Sequence, residues 1–353
     1  MRAAMLSWGY RATRKFVIRQ TYKGQEKRGL LPDLEEVVQL GDKALKKLNR
    51  YAGWLAFQFS IPEGIGYDLY DLHFPSPLTF ASFKEESDIL AIWLGMGLGG
   101  GALKTILREP REGNPRPRLQ EAVVDGQEAI INAMGLPGKG VLGLIEELDS
   151  SSLFRFNRPI GISIGGYSVE EYKWNFLDLN TVLSNDGEKK YYIELNISCP
   201  NTPSGQDLMK HPDQLEDLLT WMRQNTDRVI GVKVSPDKPD ATLLAIAEIV
   251  RQVPKTFINA GNTQFRTCEQ LGLPKPYISI GGGGMSGAPL FARTLEMTAL
   301  LAPLKIPIMA TGGISTCDQV RALQSKGAVL FGMATALVKD PYCVPKINSQ
   351  LKK

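Results

Sequence analysis

The order of apolar and polar residues along the chain divides it into a helical start and a longer region of short apolar runs. Apolar residues recur with a helical period from residue 34 to residue 55, and Asp33 precedes them as a candidate N-cap. After a Pro/Gly-rich passage over residues 62–77, short apolar runs alternate with amphipathic stretches. The runs predict strands at 78–82, 102–106, 160–164, 191–197, 229–234, 256–259, 308–310 and 329–332. Helical patterns follow several of them, at 214–223, 240–252, 291–301 and 316–326.

These strands are almost entirely apolar, which is typical of a parallel sheet with both faces covered. Eight strand-helix units over about 280 residues predict an α/β protein with a (β/α)8 TIM barrel. A doubly wound sheet is the alternative, but the G-x-G-x-x-G turn after its first strand is missing. We therefore expect an N-terminal helical extension over residues 1–71 and a catalytic barrel over residues 72–353.

Charge separates the same two regions. The chain has 353 residues and a net charge of +4, but residues 1–50 contain 12 Lys/Arg against 5 Asp/Glu. The rest carries a small negative excess, which argues against a nucleic-acid-binding protein. The first 25 residues have six basic and no acidic side chains among several aromatic and aliphatic ones. They are open to three interpretations: a solvated packing extension, a segment in peripheral contact with a membrane, or a cleaved targeting peptide.

Cysteine and histidine usage bears on compartment and on metal binding. The four cysteines are widely spaced, no C-x-x-C pair occurs, and the chain has two histidines. The sequence therefore predicts no metal site, and it favours a reducing compartment. No apolar run reaches the roughly 18 residues of a membrane-spanning helix. We expect a cytoplasmic protein, with peripheral contact on the inner face of the membrane left open by its basic N-terminus.

Polar residues at the ends of barrel strands are the candidates for chemistry, because that is where this fold carries its active sites. Cys199 closes an apolar strand between asparagines and prolines, so its thiol is a candidate base or nucleophile. The other interpretation is a buried, unreactive cysteine, which is the commoner case. Lys104 and Lys233 also lie at strand ends, where a buried ammonium group needs an anionic partner such as a cofactor. The alternative is that each lysine reaches solvent.

Glycines near the last strands predict a phosphate site. They cluster at 281–284 and at Gly287, and Gly312 and Gly313 follow the seventh strand. Loops of this kind offer backbone N–H groups that no side chain obstructs. A phosphate-bearing cofactor at the C-terminal rim of the barrel is therefore favoured over plain turns.

At these residues the sequence resembles the dihydroorotate dehydrogenase family, over roughly residues 73–345, and most closely its soluble class that uses cysteine as base. The motifs that carry the resemblance are Lys104-Thr105, REGNPRPR at 111–118, INAMGLP at 131–137 and NISCPN at 196–201. The resemblance implies FMN as cofactor and oxidation of dihydroorotate to orotate in pyrimidine biosynthesis. It implies that Cys199 removes the C5 proton while C6 delivers hydride to flavin N5. Lys104 would face the side of the flavin that gains negative charge.

The remaining site residues follow from the same resemblance. The implied substrate contacts are Asn132, Met134, Gly135, Leu136, Asn196, Asn201 and Asn259. The implied cofactor contacts are Ala81, Ser82, Lys104, Thr105, Asn196, Lys233, Gly287, Gly312, Gly313, Ala334 and Thr335. A homodimer is expected. The electron acceptor stays open among fumarate, NAD and a quinone, because an N-terminal extension is typical of the membrane-associated, quinone-using class.

Two positions depart from the family pattern. Phe83 stands where a glycine is usual, and its ring would crowd the flavin unless the backbone shifts. Ala260 stands where a hydroxyl that contacts the substrate is usual, and losing one such hydrogen bond costs about 1–3 kcal/mol. These departures motivate two alternatives: a flavin enzyme for another dihydropyrimidine, or a flavin-binding barrel that has lost turnover.

Overall fold

The eight strands predicted for the barrel form a closed parallel barrel in the computed structural model, which describes residues 1–184, 187, 189–197 and 208–352. The strands are β1 Tyr67–Leu69, β2 Leu72–Phe74, β3 Leu78–Phe80, β4 Gly100–Ile106, β5 Leu119–Val124, β6 Gln127–Asn132, β7 Ile160–Ile164, β8 Tyr191–Asn196, β9 Ile230–Val234, β10 Thr256–Ala260, β11 Gln264–Thr267, β12 Gly282–Gly287, β13 Ile308–Thr311 and β14 Ala328–Met333. The helices are α1 Arg2–Lys27, α2 Leu34–Ala56, α3 Ser87–Gly95, α4 Gly140–Ser150, α5 Val169–Ser184, α6 Pro212–Asn225, α7 Asp240–Gln252, α8 Phe291–Leu301, α9 Cys317–Ser325, α10 Thr335–Lys339 and α11 Cys343–Leu351.

The barrel closes in chain order through β3, β4, β7, β8, β9, β10, β13 and β14. Strands β7 to β10 are buried at every position, because core side chains fill the barrel inside and helices cover it outside. The TIM-barrel prediction is confirmed, and all eight predicted barrel strands correspond to observed ones.

The barrel register aligns polar residues across neighbouring strands. Asn196 on β8 is level with Lys233 on β9, and Lys233 is level with Asn259 on β10. Successive side chains of a strand point to opposite faces, so Glu194 and Asn196, which are two residues apart on β8, both face the barrel interior. Glu194 is completely buried, whereas Asn196 lies at the carboxyl end where the barrel opens.

The sequence pattern did not predict two antiparallel sheets, one of β1 and β2 and a four-stranded one in the order β11-β12-β6-β5. The four-stranded sheet bears on the site. Its strands are partly polar, and β12 is mostly glycine, so they resemble loops in the hydropathy pattern. Asn132 ends β6 and pairs with Gly284 of β12. The sheet therefore carries a predicted substrate contact toward the barrel.

The N-terminal extension consists of α1 and α2, and α2 has the predicted cap. The Asp33 carboxylate accepts a hydrogen bond from the N–H of Glu35 at 3.0 Å, as expected for an N-cap. The Glu35 carboxylate in turn pairs with Arg118 at 2.7 Å and with Arg116 at 2.7 Å, which joins α2 to the barrel side. Arg14 of α1 also pairs with the four-stranded sheet. Within the described part of the chain, none of the helices combines the length and apolarity needed to cross a membrane.

Candidate active site

A cavity of about 1320 Å³ opens at the carboxyl end of the barrel strands. Its inner part lies over the barrel mouth, and its outer part continues between α1, α2 and the β5–β6 hairpin. The volume exceeds the 300–1000 Å³ that is typical of a pocket for one small ligand. The cavity therefore has room for more than one ligand.

Most of the predicted site residues line this cavity. They are Ala81, Ser82, Lys104, Thr105, Asn132, Met134, Gly135, Leu136, Asn196, Lys233, Gly287, Gly312, Gly313, Ala334 and Thr335. Cys199 and Asn201 lie outside the described residues. Positions on eight different segments of the chain thus meet at one place, as expected when a barrel gathers its strand ends.

The two strand-end lysines both line the cavity wall. Lys233 is buried, and its Nζ donates a hydrogen bond to the Ser82 hydroxyl at 2.9 Å. Lys104 is half-buried, and its Nζ donates to the main-chain oxygen of Pro137. Burial lowers the pKa of Lys104, and the nearby carboxylates of Glu85 and Glu86 oppose that effect. Two ammonium groups at one cavity suit an anionic or electron-accepting ligand.

A chain of hydrogen bonds fixes the amide of Asn196. Its Nδ2 donates to Thr105 Oγ1 at 2.9 Å, and Thr105 Oγ1 shares a hydrogen bond with Ser163 Oγ at 2.9 Å. Asn262 Nδ2 approaches the Asn196 Oδ1 at 3.4 Å. Asn262 also lines the cavity, and it was not among the predicted site residues although it follows the same strand as Asn259.

Asn259 occupies a different place from the other predicted substrate contacts. It is buried inside the barrel, where its Nδ2 donates to Glu194 Oε2 at 2.7 Å. Among the described residues it does not line the cavity, and its Oδ1 has no hydrogen-bond partner there. Ala260 is also completely buried, whereas Thr263 contributes a hydroxyl-bearing side chain to the cavity lining.

The glycine-rich segments place glycines and hydroxyl groups together on one side of the inner part of the cavity. Gly287, Gly312 and Gly313 have positive φ angles of 104°, 142° and 71°, and all three line the cavity. Nearby, Thr335 Oγ1 donates to Ser286 Oγ at 2.9 Å. The buried Thr311 hydroxyl, also in the lining, has no partner among the described residues. Small residues, hydroxyls and an unpaired polar atom fit a phosphate-bearing cofactor.

Strand β12 reaches the cavity with close contacts that exclude larger side chains. A Cβ on Gly283 would lie 2.7 Å from the main-chain oxygen of Asn132. A Cβ on Gly284 would lie 2.1 Å from Thr263 Oγ1. These two glycines let the strand pass close enough for Asn132 and Thr263 to keep their positions at the cavity.

The Phe83 side chain packs on a neighbouring helix at the edge of the cavity. Its ring stacks on Trp93 of α3 with ring centroids 5.4 Å apart and an interplanar angle of 23°. Its N–H donates to the main-chain oxygen of Ala81 at 2.8 Å, so the backbone turns directly after β3. The side chain borders the cavity while packing on α3.

The outer part of the cavity combines apolar walls with paired charges. Its apolar lining residues are Ile18, Leu34, Val38, Leu119, Ile130 and Val338. Arg14 pairs with Glu121 at 2.8 Å, and Lys339 pairs with Glu128 at 2.8 Å. The outer part therefore suits a largely apolar ligand that enters between the extension and the sheet.

The model of the family described as dihydroorotate dehydrogenase matches residues 66–353, which is most of the chain. The chain belongs to the dihydroorotate dehydrogenase family. It is thus a member of a family of oxidoreductases, in agreement with the expectation from its motifs. The match begins at residue 66, so α1 and α2 lie outside it.

Curated relatives and a solved structure also match this member of the dihydroorotate dehydrogenase family. The "Dihydroorotate dehydrogenase (quinone)" of Clavibacter sepedonicus is 31% identical over 311 residues, which cover 85% of this chain and 89% of the relative. The protein of the same name from Chloroflexus aurantiacus is 31% identical over 288 residues, covering 75% of each chain. The crystal structure of DHODH from Eimeria tenella in complex with ferulenol has a TM-score of 0.72. It is 21% identical, covers 89% of this chain and 90% of that chain, and supports the fold.

These relatives have quinone in their names, whereas the NISCPN motif of this chain led us to the soluble, cysteine-using class. The family assignment is confirmed, and the finer assignment to that class is not. This family member therefore combines a cysteine at the predicted base position with a helical extension that borders its cavity.

Proposed function

We propose that the protein oxidises dihydroorotate to orotate with FMN as its cofactor and a quinone as its electron acceptor. The observation that carries the proposal is the inner part of the cavity, where Lys104, Lys233, Asn132 and Asn196 meet the glycine-rich segments. When bound, FMN supplies a ring that accepts two electrons from the substrate. The chain has to hold that cofactor, orient the substrate and remove a proton.

The two lysines and the glycine-rich side of the cavity would bind the cofactor. Gly312, Gly313 and Thr335 would hold the phosphate through backbone and hydroxyl groups. Lys233, already fixed by Ser82, would hold the polar edge of the ring system. Lys104 would stabilise the negative charge that the cofactor gains on reduction.

Neutral asparagine side chains would bind the substrate. Dihydroorotate offers ring N–H and C=O groups together, and an asparagine side chain matches both because it donates and accepts. Asn132 and Asn196 line the inner part. The Asn196 amide is oriented by the hydrogen bond that it donates to Thr105 and by the one that it accepts from Asn262. Cys199 follows Asn196 closely in the sequence, and we propose that its thiolate removes the C5 proton of the substrate.

The outer part of the cavity supports a quinone as acceptor. Its apolar walls from α1, α2 and β5 match a flat ring with an apolar tail, and two pairs of its charged side chains neutralise each other, Arg14 with Glu121 and Lys339 with Glu128. Fumarate and NAD are charged, and an apolar compartment would bind them poorly. The names of the relatives agree with this choice.

Exposed side chains on the extension support access from a membrane, where a quinone dissolves. Trp8, Phe16 and Trp54 have exposed fractions of 71%, 63% and 72%. The surrounding region is basic, and apolar side chains among basic ones favour an anionic bilayer surface. Binding of the full chain to vesicles containing anionic lipid should weaken with salt; equal binding to neutral vesicles would argue against the electrostatic contribution.

The reaction itself can be tested with purified protein. It should be yellow, and dihydroorotate should bleach its flavin absorbance under anaerobic conditions. Cys199→Ala should retain flavin and slow the bleaching by at least about 100-fold, which is typical of losing a positioned base. A colourless protein that does not bind added FMN, or an unchanged rate in the variant, would contradict the proposal.

Substrate and acceptor can be separated in the same experiment. Dihydrouracil lacks the carboxylate, so bleaching by dihydrouracil and not by dihydroorotate would favour another dihydropyrimidine as substrate. A bound flavin that neither compound reduces would favour a barrel without turnover. Reoxidation of the bleached protein by a quinone analogue, faster than by fumarate or NAD, is expected; the reverse order would contradict the acceptor.

A further inference from the structure

Glu85 is an acidic residue in the inner part of the cavity that the proposed reaction does not use. It lies between β3 and α3, next to Lys84, whose main-chain oxygen accepts a hydrogen bond from the N–H of Lys104 at 2.8 Å. Lys104 Nζ donates to the oxygen of Pro137, and Glu85 Oε2 lies 3.5 Å from the position of a Cβ on Gly138. The Lys104 ammonium group and the Glu85 carboxylate therefore both lie beside the peptide that joins Pro137 and Gly138.

The charged neighbours of this pair have other partners. The Lys84 ammonium group pairs with Asp42 and Glu86, and the Lys139 ammonium group pairs with Glu147. Both neighbouring lysines therefore have carboxylate partners other than Glu85. Glu85 and Lys104 both reach the cavity beside the peptide that joins Pro137 and Gly138.

Mutual electrostatic effects agree with this geometry. Burial raises the pKa of Glu85, and Lys104 is the cation that opposes the increase most. Burial lowers the pKa of Lys104, and Glu85 is the carboxylate that opposes the decrease most. Each residue thus favours the charged form of the other.

We propose that Glu85 is a positioning residue that acts through Lys104: its carboxylate offsets part of the charge of the ammonium group at the cavity wall, and so sets the reduction potential of the bound flavin. The inference rests on the proposed function. A cation beside the flavin stabilises the negative charge gained on reduction, and a carboxylate next to that cation weakens the stabilisation. Removing the carboxylate should therefore favour reduced flavin.

The measurement is the midpoint potential of FMN bound to the full chain, from anaerobic titration with reference dyes. Glu85→Gln keeps the size of the side chain and removes its charge. At a fixed potential, the ratio of reduced to oxidised flavin should rise at least about tenfold, which is about 30 mV for a two-electron couple. Glu86→Gln is the matched control, because Glu86 is adjacent in sequence but pairs with Lys84; its shift should be less than half as large.

A double-mutant cycle tests whether Glu85 acts through Lys104. Lys104→Gln should lower the potential. In that background Glu85→Gln should lose at least half of its effect, because the charge that it offsets is gone. An equal shift in both backgrounds, or a Glu85→Gln shift no larger than that of Glu86→Gln, would overturn the inference.

A second variant covers the case in which Glu85→Gln does not fold or does not retain flavin. Glu85→Asp draws the carboxylate back by one methylene and should raise the potential by a smaller amount; no shift would overturn the inference. A wild-type protein that binds no FMN would end both this inference and the proposed function. Wild-type flavin that dihydroorotate reduces, together with unmoved potentials in the Glu85 variants, would end this inference alone.

Discussion

The buried ion pair between α2 and the REGNPRPR segment gives a stability prediction that can be worked from the structure. Glu35 and Arg118 have side-chain exposed fractions of 12% and 9% and pair at 2.7 Å. Arg118 Nη2 donates to the second carboxylate oxygen of Glu35 at 2.9 Å, so the contact is bidentate. Glu35→Gln leaves the buried guanidinium without its counter-charge. We expect a loss of about 3 kcal/mol, the low end for breaking a buried pair, because Arg116 is half-exposed and water reaches it.

Equilibrium urea unfolding, followed by far-UV circular dichroism, measures this loss. Hydrogen exchange at α2 locates it, because the amides of α2 should lose protection before those of the barrel strands. Glu36→Gln is the matched control. Glu36 is the next residue on the helix and pairs with Arg28 at 2.7 Å, but the two side chains are 34% and 53% exposed, and solvent-accessible pairs contribute less than about 1 kcal/mol.

The pH dependence of the Glu35→Gln effect has a defined sign. Burial alone would raise the pKa of Glu35, but Arg118 and then Arg116 outweigh it and hold the pKa below its usual value of 4.5. The stabilisation is therefore complete above about pH 4.5, and it is lost as the pH falls toward the folded-state pKa. The difference between wild type and variant should shrink below that pH. A difference under about 0.5 kcal/mol at pH 7, or one equal to that of Glu36→Gln, would refute the reasoning.

Three further predictions concern the cofactor, the core and the acceptor. Lys233→Met should weaken FMN binding at least about tenfold, because it removes a charged hydrogen-bond donor fixed by Ser82, and flavin fluorescence measures it; an unchanged affinity would contradict this. Arg158 donates to two main-chain oxygens, one of them Leu98 at 2.6 Å, and burial lowers its pKa to about 10. Arg158→Met should cost about 2–4 kcal/mol in urea unfolding, and a loss below about 0.5 kcal/mol would contradict this. Arg14→Gln breaks the ion pair with Glu121 at the outer part of the cavity, so it should raise the KM for a quinone severalfold without slowing anaerobic reduction of the flavin by dihydroorotate. A slower reduction of the flavin would contradict a role of Arg14 in quinone binding alone.

The barrel was predictable because its strands are runs of apolar residues that few polar residues interrupt. Strands such as β7 are apolar throughout, and the predicted bounds of α7 and α8 agree with the observed helices. The β5–β6 hairpin was missed because one side of it faces away from the core, so polar residues such as Gln127 and Glu128 interrupt the pattern. The glycines of β12 were interpreted as part of a phosphate-binding loop, because a run of glycines carries no apolar strand pattern. In these strands, pairing within the sheet decides the conformation, and hydropathy does not record pairing.

Those residues of the candidate site that lie at the carboxyl ends of barrel strands could be predicted from the sequence. Lys104 and Lys233 lie where the fold requires functional side chains to lie, and the structure brings both to the cavity. Asn259 follows the same rule, yet its amide is turned into the barrel toward Glu194. Glu85 and Asn262 were missed because they sit on connecting segments, whose approach to the cavity depends on packing that only the folded chain defines.

The close passage of Gly283 and Gly284 beside Asn132 and Thr263 has a consequence for how mutational tolerance will be distributed along the chain. In a saturation scan scored by growth, these two positions should reject even alanine, as strictly as positions that touch the substrate. Neither has a side chain that could take part in chemistry. A map of intolerant positions would therefore mark the strand as functional, although what selection preserves there is the close approach of neighbouring segments.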